Sequence, residues 1–180
     1  MRKKQAGFTL IETLMVVFLM GIVLVAGGNI FFGIMKGASK AEVEREVKQN
    51  GEYALAIMER MIRNSREVLK CDTGYLIIKN IDDENTKFQV DSERIASSSG
   101  KSEVPPYSNH LYLTGDNIEV ASLFFNCIHD PEISLEEEDI RRVEINFTLT
   151  PKGVTAGEVP PEMYAEINFQ TSISLRNFPR

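Results

Sequence analysis

From Thr13 to Met35 the chain carries no charged side chain, a run of 23 residues. An α-helix rises about 1.5 Å per residue, so such a run reaches across a hydrocarbon core of roughly 30 Å. Arg2, Lys3 and Lys4 stand before it, and an excess of Lys and Arg holds a short flank in the cytoplasm. The expected topology is a single span with the N-terminus inside and everything after Met35 outside.

Glu12 stands at the head of this run. An ionised carboxylate there is costly unless it stays near the interface or meets a cation. One reading is a snorkelling carboxylate at the membrane edge. The other is a group awaiting a positive partner. An α-amino group at Phe8, freed by a cut after Gly7, lies one helical turn away and suits it, as does the same amine from a neighbouring copy.

Gly7-Phe8-Thr9-Leu10-Ile11-Glu12, behind a short basic leader and ahead of an apolar helix, resembles the class III leader of type IV pilins and type II secretion pseudopilins. The resemblance implies that a membrane prepilin peptidase cuts after Gly7 and methylates the new N-terminal Phe8. It also implies that Glu12 pairs with a neighbour's N-terminus in a filament. The motif covers about six residues and is specific in this context.

The formal charge is −6, and without Arg2, Lys3 and Lys4 there remain 17 basic side chains against 26 acidic, a net −9. Such acidity argues against nucleic acid as a direct partner, which needs a basic surface. The 145 residues after Met35 suffice for one core. Cys71 and Cys127 both lie in the exported part. An oxidising compartment favours their pairing, which closes a loop of about 57 residues and contributes about 4 kcal/mol in the chain-entropy model. Two buried free thiols are the alternative.

Residues 1–7 read as leader and 8–35 as the membrane helix, in which Gly21, Gly27, Gly28 and Gly33 suit close helix packing. Beyond Lys36 the apolar period becomes amphipathic. Val43, Val47, Ala54, Met58, Met61 and Val68 share a stripe widened by Ile57, Ile62 and Leu69, with Asn50-Gly51 as a weak spot. This predicts that residues 36–70 continue the spine, followed by a β-rich head over 71–180. Strands are expected at Tyr75–Lys79, Lys87–Val90, Leu111–Leu113, Glu119–Phe125, 143–149 and 165–175, the last two as an antiparallel pair. Ser97 to Pro106 reads as a surface loop and Pro131–Glu138 as an acidic one. The fold class is α+β, a long N-terminal helix on an antiparallel sheet, as the pilin resemblance also implies. Ala56–Asn64 and Phe169–Asn177 resemble minor pseudopilins of the J type and their PilW-like counterparts. Retention of Glu12 argues against the K type.

Chemistry-bearing clusters are sparse. His110 and His129 are the two histidines, and Cys127-x-His129-Asp130 lacks the second ligand pair of a zinc site. Asp130, Glu132 and Asp139 are weak calcium candidates, and Asp82-Asp83-Glu84 forms a second acidic cluster. Neither shows a fixed loop signature, so solvated acidic loops and no cofactor are the expectation. Asn146-Phe147-Thr148 matches a glycosylation acceptor but falls inside an expected strand.

Three classes of function follow. The first is a non-enzymatic minor pilin or pseudopilin at the inner membrane. Its head would lie outside, and its partners would be the prepilin peptidase and other pilins. The second is a single-span anchored receptor or adhesin, which keeps its N-terminus and has no need of Glu12. The third, a secreted enzyme, conflicts with the length of the apolar run and with the glutamate, Glu12, at its head.

Overall fold

The computed structural model describes residues 7, 9–101, 107, 109–129 and 140–175, without the side chains of His129 and Arg141. Its elements in chain order are helix α1 (Leu10–Arg63) and strands β1 (Glu67–Asp72), β2 (Tyr75–Lys79), β3 (Asn85–Asp91), β4 (Arg94–Gly100), β5 (Asn109–Tyr112), β6 (Ile118–His129), β7 (Ile140–Pro151) and β8 (Ile167–Ser174). A 3-10 turn, Pro161–Met163, precedes β8. The chain divides into two compact units, Met1–Ser39 and Lys40–Arg180, and α1 contributes to both.

In the second unit α1 buries Val47, Gly51, Ala54, Met58 and Ile62. Their spacing of three and four residues places them on one helical face. Across from them stand two antiparallel sheets, one in the order β1-β2-β3-β4-β5 and one in the order β6-β7-β8. Leu76, Ile78, Phe88 and Ile95 from the first sheet join Leu123, Phe125, Val143, Ile145, Phe147, Leu149, Phe169 and Ile173 from the second in one core. Fully burying a side chain such as Phe88 or Phe147 contributes about 1.5–3 kcal/mol. The expected pair over 143–149 and 165–175 forms, with Val143 opposite Ile173 and Phe147 opposite Phe169.

The two sheets meet along β1 and β6. The Phe125 N–H donates to the Thr73 carbonyl at 3.0 Å, and a disulfide joins Cys71 to Cys127, whose Cα atoms are 6.4 Å apart.

Two expectations need correction. The helix does not run to residue 70: it stops at Arg63, and 67–72 is strand β1. Ser65 closes the last turn, its hydroxyl donating to the Ile62 carbonyl at 2.7 Å. Arg66 then donates its N–H to the Lys79 carbonyl at 2.7 Å, which opens the β1–β2 ladder. Val68 and Leu69 fit the helical stripe in sequence, but pairing with β2 decides their state. The second correction concerns Ser97-Ser98-Ser99-Gly100, which form the end of β4 rather than a surface loop. Their hydroxyls are satisfied across strands: Ser99 Oγ lies 2.8 Å from Thr86 Oγ1, and Ser98 Oγ lies 2.9 Å from His110 Nδ1. Composition alone reads such serines as polar loop, while hydrogen bonding makes them sheet residues. Residues 102–106, which complete that expected loop, and the acidic stretch 131–138 lie outside the described residues.

Candidate functional site

The N-terminal motif begins with an exposed Gly7, and Phe8 lies outside the described residues. Thr9 is the N-cap of α1. Its carbonyl accepts from the Glu12 and Thr13 N–H groups at 3.1 and 3.2 Å, and its Oγ1 accepts from the Glu12 N–H at 3.4 Å. Thr13 Oγ1 donates to the Leu10 carbonyl at 2.9 Å. Thr9-Leu10-Ile11-Glu12 thus has the spacing of a capping box, with Glu12 three residues into the helix. A carboxylate there also faces the positive end of the helix dipole. The Thr9 cap was readable from the Thr-x-x-Glu spacing, although membrane energetics alone directs attention to the Glu12 carboxylate. Among the described residues no cation pairs with the Glu12 carboxylate, which is exposed.

The helix that follows presents its apolar side chains outward all round. From Leu10 to Met35 each large apolar residue is at least half exposed, from 51% at Val16 to 84% at Leu10. Nothing lies within 4 Å of a β-carbon built on Gly21, Gly27, Gly28 or Gly33. The stretch is long and apolar enough to cross a membrane, judged by length and composition. A continuous apolar surface of this extent implies a lipid or protein environment supplied from outside the chain.

Of the remaining residues singled out in the sequence, Cys71 and Cys127 are brought together in the disulfide. Asp130, Glu132 and Asp139 lie outside the described residues, as does the side chain of His129. In the other acidic turn Asp83 is engaged by cations, 2.7 Å from Arg66 Nη1 and 3.8 Å from Lys79 Nζ. Among the described residues no three carboxylate, thiol or imidazole groups converge as metal ligands.

The register also assembles a set that spacing alone does not reveal. His110 Nε2 lies 3.2 Å from Asp91 Oδ2 while its Nδ1 meets Ser98 Oγ. Tyr112 donates its hydroxyl to the same carboxylate oxygen at 3.2 Å. Ser98 is buried in β4, the strand between β3 and β5, so this chain of hydrogen bonds ties three strands together. An open cavity of about 420 Å³ lies elsewhere, lined by Arg60, Met61, Asn64, Asn80, Ile81 and Asp82.

Residues 2–28 match the prokaryotic N-terminal methylation motif. The fold matches that of a type IV-like pilin from Thermus thermophilus with a TM-score of 0.50 at 10% sequence identity, over 71% of this chain and 94% of that one. The chain is pilin-like. No curated protein matches it in sequence. A prepilin motif and a pilin fold belong to structural, non-enzymatic subunits. In this pilin-like chain the long N-terminal helix and the antiparallel head follow that pattern.

Proposed function

We propose that this chain is a minor pilin or pseudopilin, of the J type by its resemblance over Ala56–Asn64 and Phe169–Asn177, that primes or caps a type IV pilus-like or type II secretion filament. One observation carries the reading: a methylation motif over 2–28 leads into a helix whose apolar side chains find no cover among the described residues. Lipid covers that surface before assembly, and the helices of neighbouring subunits cover it afterwards. The proposed parts are a leader over 1–7, a membrane segment over 8–35 and an exported remainder.

In this reading the prepilin peptidase cuts after Gly7, and Phe8 becomes the methylated N-terminus. The subunit stays in the inner membrane with its head outside until extraction. Glu12 then pairs with the Phe8 amine of a neighbour inside the apolar bundle, where an unpaired carboxylate is costly. The pairing acts as an assembly check, because a mis-seated subunit leaves Glu12 buried without a cation.

The test is Glu12→Ala followed by recovery of assembled filaments. The variant is cut normally but enters filaments poorly. Incorporation equal to the native chain removes the assembly role of Glu12. Glu12→Gln separates charge from capping, since glutamine keeps the capping-box geometry.

A further inference from the structure

Four strands end a sheet in this head: β1, β5, β6 and β8. A free edge is a row of unpaired backbone groups, and proteins blunt it with lysine, proline, a bulge or short length. β1 and β6 are fastened to each other by the disulfide and by the Phe125–Thr73 hydrogen bond. β1 also carries Lys70 and a register shift. β5 is only four residues long. β8 has none of these devices. It runs for eight residues in unbroken register with β7, and it holds no charged side chain and no proline.

In an antiparallel ladder every second residue of an edge strand turns its N–H and C=O away from the neighbouring strand. Among the described residues nothing donates to or accepts from those groups of β8. Its side chains also suit a copy of themselves. Ile167, Phe169, Thr171 and Ile173 lie on the buried or half-buried side, and Asn168, Gln170, Ser172 and Ser174 are exposed. Two copies of β8 that meet antiparallel with Thr171 opposite Thr171 keep their buried sides together, because residues an even number apart share a side. Phe169 then stands opposite Ile173, Gln170 opposite Ser172 and Asn168 opposite Ser174. An aromatic beside a β-branched side chain is a favourable cross-strand pair, and no like charges meet anywhere along the strand.

We infer that β8 is a self-pairing edge: a second copy of this chain adds its own β8 antiparallel, about a two-fold axis through the two Thr171 residues. The two three-stranded sheets become one sheet of six strands. The contact is isologous, so it uses up both edges and closes after two copies. A strand of another protein would satisfy the backbone groups equally well. The register in which every side chain of β8 finds a suitable neighbour is written into β8 itself, and that favours a second copy.

Pairing at this edge belongs to the head and does not rest on the filament role. The experiment uses the full chain in an uncharged detergent, with mild oxidation followed by non-reducing electrophoresis. Cys71 and Cys127 occupy each other, so an added thiol reports alone. Opposed residues of antiparallel strands have Cα atoms about 4.5–5.5 Å apart, within reach of a disulfide. Thr171→Cys gives a covalent dimer. Ser174→Cys, which would face Asn168 of the other copy, gives about tenfold less or none. Adding Gln170→Lys and Ser172→Lys to the Thr171→Cys chain sets like charges opposite each other and lowers the dimer yield by about tenfold or more. A thermal melt confirms that the lysine chain is folded, and where it is not, the comparison of Thr171→Cys with Ser174→Cys decides alone. Equal yields from those two chains, or a yield unmoved by the lysines, overturns the inference. So does the absence of any covalent dimer, which leaves the edge to a strand of another protein.

Discussion

A β-carbon on Gly51 would lie 2.1 Å from Cζ of Phe169 and 2.2 Å from its Cε2. The helix therefore approaches β8 with the Phe169 ring pressed flat on backbone, and that ring stacks on Phe147 with centroids 5.1 Å apart. Only glycine leaves room for it. Gly51→Ala should destabilise the head by about 1–3 kcal/mol despite the better helix propensity of alanine. Phe169→Leu in the same chain should recover part of the loss, because the two changes share one contact. Chemical denaturation of the four chains of that cycle measures both effects. Strict additivity would show that the contact does not set the spacing.

The disulfide fastens β1 to β6, so it holds the two sheets edge to edge as well as closing a loop with a sequence separation of 56. Replacing Cys71 and Cys127 by serine should cost about 4 kcal/mol in the chain-entropy model. Hydrogen exchange should rise first in β1 and β6, where the Phe125–Thr73 bond loses its tether. A loss spread evenly over both sheets contradicts this role.

Asn50 links the helix to the turn before β6. Its Nδ2 donates to the Glu46 carbonyl at 2.9 Å, and its Oδ1 accepts from the Gly115 N–H at 2.8 Å. Asn50→Ala leaves that N–H without its partner and should cost about 1 kcal/mol. Amide exchange at Gly115 is the direct readout, and unchanged protection there would count against the link.

Tyr107 is buried, and among the described residues its hydroxyl oxygen has no hydrogen-bond partner. Burial pushes its phenol above the ordinary range, since the charged form is the one desolvation disfavours. The folded state thus holds the proton more tightly than the unfolded chain. Its contribution is complete below about pH 10 and is lost as pH rises through the folded value. Tyr107→Phe should flatten the alkaline fall in stability without lowering stability at neutral pH. An alkaline limb of the same steepness in the variant rules Tyr107 out as its source.

Where period and environment agree, the sequence is a sound guide. The uncharged run to Met35, the stripe through Val47, Ala54 and Met58, and the alternation over 143–149 each bury or expose the side chains their spacing indicates. Boundaries fail where a tertiary contact outweighs the local period. Val68 continues the helical stripe in sequence but is drawn into β1 by pairing with β2. The serines of β4 look like loop because their hydrogen-bond partners, Thr86 and His110, are remote in sequence. The necessity of Gly51 is invisible for the same reason, since Phe169 lies 118 positions further on. At the N-terminus the leader motif is legible from six residues, and the capping geometry of Thr9 and Glu12 is encoded in their spacing.

The central claim is pilin-type processing, and mass spectrometry of the mature N-terminus tests it most directly. The chain is isolated from membranes of cells that carry a matching prepilin peptidase. The account predicts an N-terminal peptide that begins at Phe8 and carries one added methyl group. An intact Met1, or a new terminus near Ala38, contradicts it and leaves an anchored receptor or an ordinary secreted protein in its place.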